Sequence, residues 1–215
     1  AGHAVLLPER VAALLARESC SCAELELIAV TIGPGSFAGL RIALGYAQGI
    51  ALVQGTPVVG VSGLDVLAAG AGCTQGWLSV VVDARRGELF AALYHLDGGV
   101  PRRYLAPTTA QTPTQWADTL AGLSEWHSES LCLTGSGLHL HAGIFRTVLG
   151  RPFAVTPEST WVTDPFLLGL LGQQLFGQAR SMQAGDTPLL ATLPDYQRSP
   201  DAEVKIHGAA CRSGQ

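Results

Sequence analysis

The segment TIGPGSFAGLRIALGYAQGIALVQG, Thr31–Gly55, constrains the fold of this chain more than any other. It follows the apolar run LELIAVTIG (Leu25–Gly33), which reads as a short buried strand. Gly33-Pro34-Gly35 then forces a tight turn, and Ser36 is placed to cap a helix. Between Ser36 and Gln54 the only polar side chains are Ser36, Arg41, the Tyr46 hydroxyl, Gln48 and Gln54. Gly55 closes the helix, Pro57 stands just beyond it, and PVVGVS (Pro57–Ser62) reads as another buried strand. A helix this apolar around its whole circumference needs cover on two sides. One side can be its own sheet. The small residues Gly39, Ala43 and Ala47, and Gly45 with Gly49, would let a second helix approach closely on the other. That cover is either the amphipathic helix predicted over Leu7–Arg17, from Leu7, Val11, Leu14 and Leu15, or a partner protein.

The rest of the chain extends the alternation of strands and helices. GLDVLAAG (Gly63–Gly70) is predicted as a short helix, and Gly70–Gly76 as a boundary. WLSVVVDA and ELFAALYHL flank an Arg-Arg-Gly turn and predict a hairpin, with PRRYLAP as a third strand. Thr112-Pro113 opens a helix to Leu123, SLCLTGSG (Ser130–Gly137) repeats the strand-then-glycine pattern, PFAVTP is a strand, and Asp164-Pro165 starts a helix to Arg180. The second half thus reads strand, strand, strand, helix, strand, helix, strand, helix. The first half reads helix, strand, helix, strand, helix. The two orders coincide if the first half lacks three opening strands, which predicts an internal duplication of one α/β topology. A sheet without those strands would expose a long edge and is expected to aggregate or swap.

The glycine turn matches G-x-G-x-x-A, the dinucleotide fingerprint, but Val53-Gln54-Gly55 stands where the ribose-binding acid belongs. Pro34 also removes a backbone N–H that phosphate could have used. A Walker loop needs Gly-Lys-Ser/Thr and a nucleophile elbow needs glycines two residues either side of the serine; neither occurs. What survives is a capped corner with weak anion affinity at Gly33, Gly35 and Ser36, and Arg41 close by. His139 and His141 on a predicted strand end lack the further ligands a metal would need, and Asp83 reads as part of a charged hairpin turn with Arg85, Arg86 and Glu88. No catalytic constellation and no metal site are predicted.

Composition limits the function classes. Apolar residues make up 47% and charged residues 14%, so the chain buries much of itself or keeps apolar surface for a partner. The net charge of −4 supplies no global field for nucleic acid. Five cysteines without C-x-x-C spacing read as free thiols of a reducing cytoplasm. There is no signal-peptide pattern and no apolar run of membrane-spanning length.

The stretches AVTIGPGSFAGLRIALGYAQGIAL, PVVGVSGLDVLA, VVDARRGELFAALY and PDYQRSPDAEVK, with GHAVLLPERVAALL as first helix, resemble the TsaB (YeaZ) family. The resemblance covers Gly2 to Lys205 and departs from the signature once, with Ala38 in place of a threonine. It implies an α/β chain of two ribonuclease-H-like subdomains of the actin-like ATPase superfamily. Their expected bounds are 1–72, lacking its opening strands, and 73–206, followed by a tail, 207–215. It implies a non-catalytic subunit of the bacterial tRNA threonylcarbamoyladenosine machinery that pairs with the threonylcarbamoyltransferase TsaD through its first two helices, or with itself when alone. TsaE joins the larger assembly, ATP or ADP binds only at the interface, and tRNA is met through the complex. On the matching helices the expected docking residues are Leu7, Val11, Leu14, Phe37, Gly39, Leu40, Ala43, Tyr46, Ala47 and Ile50. The alternative is a stand-alone ATPase or glycopeptidase-like hydrolase of the same superfamily.

Overall fold

The computed structural model describes residues 3–182. The PDYQRSPDAEVK stretch, Cys211, the end of the expected second subdomain and the 207–215 tail lie outside the described residues. In chain order the elements are α1 (His3–Arg17), β1 (Ile28–Gly33), α2 (Phe37–Gln54), β2 (Val58–Ser62), α3 (Gly63–Gly70), β3 (Gly76–Arg85), β4 (Glu88–Asp97), β5 (Val100–Leu105), α4 (Pro113–Gly122), β6 (Leu131–Thr134), α5 (Leu138–Leu149), β7 (Ala154–Val155) and α6 (Pro165–Met182). The order α–β–α–β–α of the first half recurs as α4–β6–α5–β7–α6.

The strands form two sheets. β1 and β2 are parallel, with Ile28 opposite Val58 and Val30 opposite Gly60. The second sheet runs β5-β4-β3-β6-β7. Its β3–β4 hairpin is antiparallel, with Trp77 opposite His95, and β3–β6 and β6–β7 are parallel. Alternation along β3 and β4 sorts their side chains between two cores. Trp77, Val81, Leu89, Ala91 and Leu93 face α4 and α5, where Trp116, Leu120 and Phe145 are buried. Leu78, Val80, Ala92, Tyr94 and Leu96 face Leu64, Leu67 and Ala68 of α3.

Helices cover both faces of the two-stranded sheet as well. Leu44, Ala47 and Ala51 of α2 pack on Val30 and Val58. The opposite face, with Val59 and Val61, receives Leu167, Leu168, Leu171 and Phe176 of α6. α6 therefore closes the small sheet, and α3 lies between the two sheets: Leu64, Leu67 and Ala68 face the large one, while Val66 joins Val59 and Val61 of the small one. The approach of α6 is close, since a Cβ on Gly172 would lie 2.6 Å from the Ala29 Cβ.

Three expectations shift. β1 begins at Ile28 rather than Leu25, because Leu27 packs towards α6 and the Leu25 carbonyl is taken by the Thr56 hydroxyl at 3.1 Å. β7 is two residues long, confined between Pro152 and Pro157. His139 and His141 lie in the opening turns of α5, not on a strand end, because β6 stops at Thr134 and Gly135 takes φ +110°.

Candidate docking face

α2 is fixed by its ends. The Ser36 side chain accepts the Gly39 N–H at 3.4 Å, and Gly55 adopts φ +73° at the C-terminus. Both caps agree with the sequence. Between them Leu40, Leu44, Ala47 and Ala51, spaced i, i+4, i+7, i+11, form the buried stripe. Its exposed side carries Arg41, Gln48 and Gln54, but large apolar side chains stand there too. Leu52 and Val53 are 80% and 78% exposed, beside Gly45 and Gly49, where an added Cβ would meet nothing within 4 Å. Cys22, Gly45, Tyr46, Gly49, Ile50 and Val53 line an open apolar groove of about 360 Å³ on this face.

α1 packs beside α2, so the internal neighbour anticipated for α2 is present, and the exposed stripe remains beside it. Of the expected docking residues, Leu7 and Val11 are half-buried and Leu14 is exposed on α1. Phe37, Gly39, Ala43, Tyr46 and Ile50 are half-buried on α2. Leu40 and Ala47 are buried and face their own sheet. Leu52 and Val53 were not among the expected residues. No local sequence signal finds them: α2 is largely apolar around its axis, and its inward side is set only by β1 and β2.

At the glycine turn, Gly33 is buried, Gly35 and Ser36 are exposed, and the Ser36 oxygen is engaged by the cap. The Arg41 guanidinium lies over the Phe37 ring at 4.9 Å. The turn is a strand-to-helix corner whose polar groups serve α2 itself. Elsewhere His139 faces Glu158 at 3.6 Å and meets the Trp161 ring edge-on. The Asp83 carboxylate accepts the Arg85 N–H at 2.8 Å, within the hairpin turn. No three His, Cys, Asp or Glu side chains among the described residues gather as metal ligands would.

A polar cluster that the sequence did not reveal ties α3 to the large sheet. The Tyr94 hydroxyl donates to Asp65 at 2.7 Å, and the Arg103 Nε donates to the same oxygen at 3.0 Å. Burial and then the Asp65 charge push the Tyr94 hydroxyl above the ordinary tyrosine range. In the same core, burial and the neighbouring Cys73 push the Cys132 thiol up to about 12.

A family model described as TsaD: tRNA N6-adenosine threonylcarbamoyltransferase matches residues 1–116. The tRNA threonylcarbamoyladenosine biosynthesis protein TsaB of Bacillus subtilis is 30% identical over 94% of this chain and 82% of its own length. The chain belongs to this family, in its TsaB branch. The TsaB of Escherichia coli is 41% identical over 39% of the chain and 37% of its own length. Among solved structures, YeaZ from Pseudomonas aeruginosa superposes with a TM-score of 0.67 at 26% identity, covering 89% of this chain and 83% of that one. A second structure, of a protein from the same organism described as similar to peptidase YEAZ, gives 0.69 at 26% identity, covering 92% and 85%. The expected fold class, α/β of the actin-like ATPase type, holds for this member of the TsaB branch. No helix among the described residues is long and apolar enough to cross a membrane.

Proposed function

We propose that this chain is a non-catalytic scaffold subunit in the biosynthesis of threonylcarbamoyladenosine in tRNA. It pairs with the threonylcarbamoyltransferase TsaD through the outer face of α1 and α2. The observation that carries the reading is the solvent-facing apolar face of α2, from Gly45 and Gly49 to Leu52 and Val53, with its groove. Large apolar side chains clustered at such exposure mark interaction sites. The two glycines leave the helix backbone bare, so a partner helix could approach closely. Of the expected docking residues, we assign Leu7, Val11, Leu14, Phe37, Gly39, Tyr46 and Ile50 to the pairing surface; Leu40 and Ala47 are buried beneath it, and half-buried Ala43 packs on the core of Val30 and Val58. A second copy of the chain would use the same face in the absence of TsaD.

The non-catalytic part of the reading is supported by the glycine turn. Ser36 caps, Arg41 stacks on Phe37, and both are spent on α2. ATP or ADP, TsaE and tRNA are accordingly assigned to the assembly, and the assembly to the cytoplasm. Light scattering on a sizing column tests the pairing. The chain mixed with TsaD is expected to elute as a one-to-one complex, and Gly49→Arg to abolish it while the far-UV spectrum stays unchanged. Co-elution that survives Gly49→Arg would overturn the assigned face, and failure of the unaltered chain to shift would overturn the pairing.

A further inference from the structure

Arg17, Arg85 and Arg103 each stand beside a carboxylate, of Glu18, Asp83 and Asp65. Arg146 and Arg151 instead share a cavity of about 410 Å³ where α5 ends and β7 begins, lined otherwise by Gly150, Pro152, Phe153 and Val155. No carboxylate lines it. Arg151 is held in place: its Nη2 donates to the His127 carbonyl at 3.3 Å, and its guanidinium lies 5.5 Å from the Trp126 ring centre. A carbonyl and an aromatic face fix a guanidinium without neutralising it. Arg146, in the last turn of α5 and exposed, makes no ion pair or hydrogen bond within the described residues. The carbonyl end of α5 opposes an anion with about half an elementary charge, against two full positive charges.

We propose that this cavity binds a phosphate group of RNA, Arg151 as the preorganised donor and Arg146 as the adaptable one. Arginine suits the task because its planar fork can present two N–H groups to two phosphate oxygens. In a chain of net charge −4, such a contact must be local, as this one is. The assignment of RNA as the source of the phosphate rests on the reading of the chain as part of a tRNA-modifying assembly.

Two measurements test it. In the first, the full chain alone is titrated with a fluorescent single-stranded RNA oligomer across a salt series. Arg146→Gln is expected to weaken binding about fivefold and to lower the slope of log affinity against log salt by about 1. Arg151→Lys, which keeps the charge and loses the fork, should weaken binding while leaving most of the slope. Unchanged affinity and slope in Arg146→Gln would overturn the site. So would RNA binding that ATP displaces at equal concentration, since the pocket would then take mononucleotide phosphate. In the second, the complex with TsaD is titrated with tRNA. Loss of affinity in Arg146→Gln with the complex intact supports the proposal, and a complex whose tRNA affinity is indifferent to Arg146 overturns the role assigned in the assembly. If no complex forms with the unaltered chain, the pairing has failed, and the oligomer titration still decides the site.

Discussion

Glycine positions separate residues that the fold requires from residues that a partner would. Gly135 takes φ +110°, and a Cβ there would sit 2.3 Å from the Val81 carbonyl oxygen, a backbone atom that cannot turn aside. Gly135→Ala is expected to cost on the order of 3 kcal/mol, read from the urea midpoint. Gly172→Ala, pressed on Ala29, should cost about 1–3 kcal/mol by the same assay. Gly49, with open space around it, behaves the opposite way: Gly49→Ala should stabilise the chain by about 0.5–1 kcal/mol. Tyr94 gives a pH signature. Its hydroxyl is held protonated in the fold, so the folded state retains a proton that the unfolded chain gives up near pH 10. Its contribution is fully present below that pH and is lost progressively as pH rises from there towards the higher folded-state value. Unfolding free energies measured from pH 8 to 11 should fall above about pH 10, and less steeply in Tyr94→Phe.

At the scale of elements, α2 divides its labour around its axis. The inward stripe holds the small sheet, and the outward stripe stays apolar with no described residue covering Leu52 and Val53. Leu52→Asp should therefore leave the unfolding midpoint nearly unchanged and abolish co-elution with TsaD, whereas Leu44→Ala, at 3% exposure, should cost about 2–5 kcal/mol. The ends of α2 were legible in the sequence because capping is local chemistry: Ser36 and Gly55 act within a turn of themselves. The direction of its faces was not. A helix apolar all round carries no amphipathic stripe to orient it, so Leu40 and Ala47 could not be told from Leu52 and Val53 until β1 and β2 supplied an inside.

For the whole molecule, the packing of α3 against both sheets and of α6 against the small one has a mechanical consequence. Neither sheet keeps both faces covered unless the other half is folded. All four tryptophans, Trp77, Trp116, Trp126 and Trp161, lie in the second half. Their fluorescence and the far-UV signal of the whole chain should nevertheless trace one coincident unfolding transition in urea, and two separated transitions would contradict the interlock. By itself the sequence determined the order of strands and helices, the glycine corner, the caps of α2 and the presence of an apolar surplus. Each of these rests on residues within a few positions of one another. Only the tertiary structure decided which sheet each closing helix covers, which side of α2 faces solvent, and that Asp65, Tyr94 and Arg103 meet across separations of 29 and 38 residues. Short apolar helices and strands carry no label for their neighbour. That choice is made by packing, where one surface fits and the alternatives leave apolar faces in water.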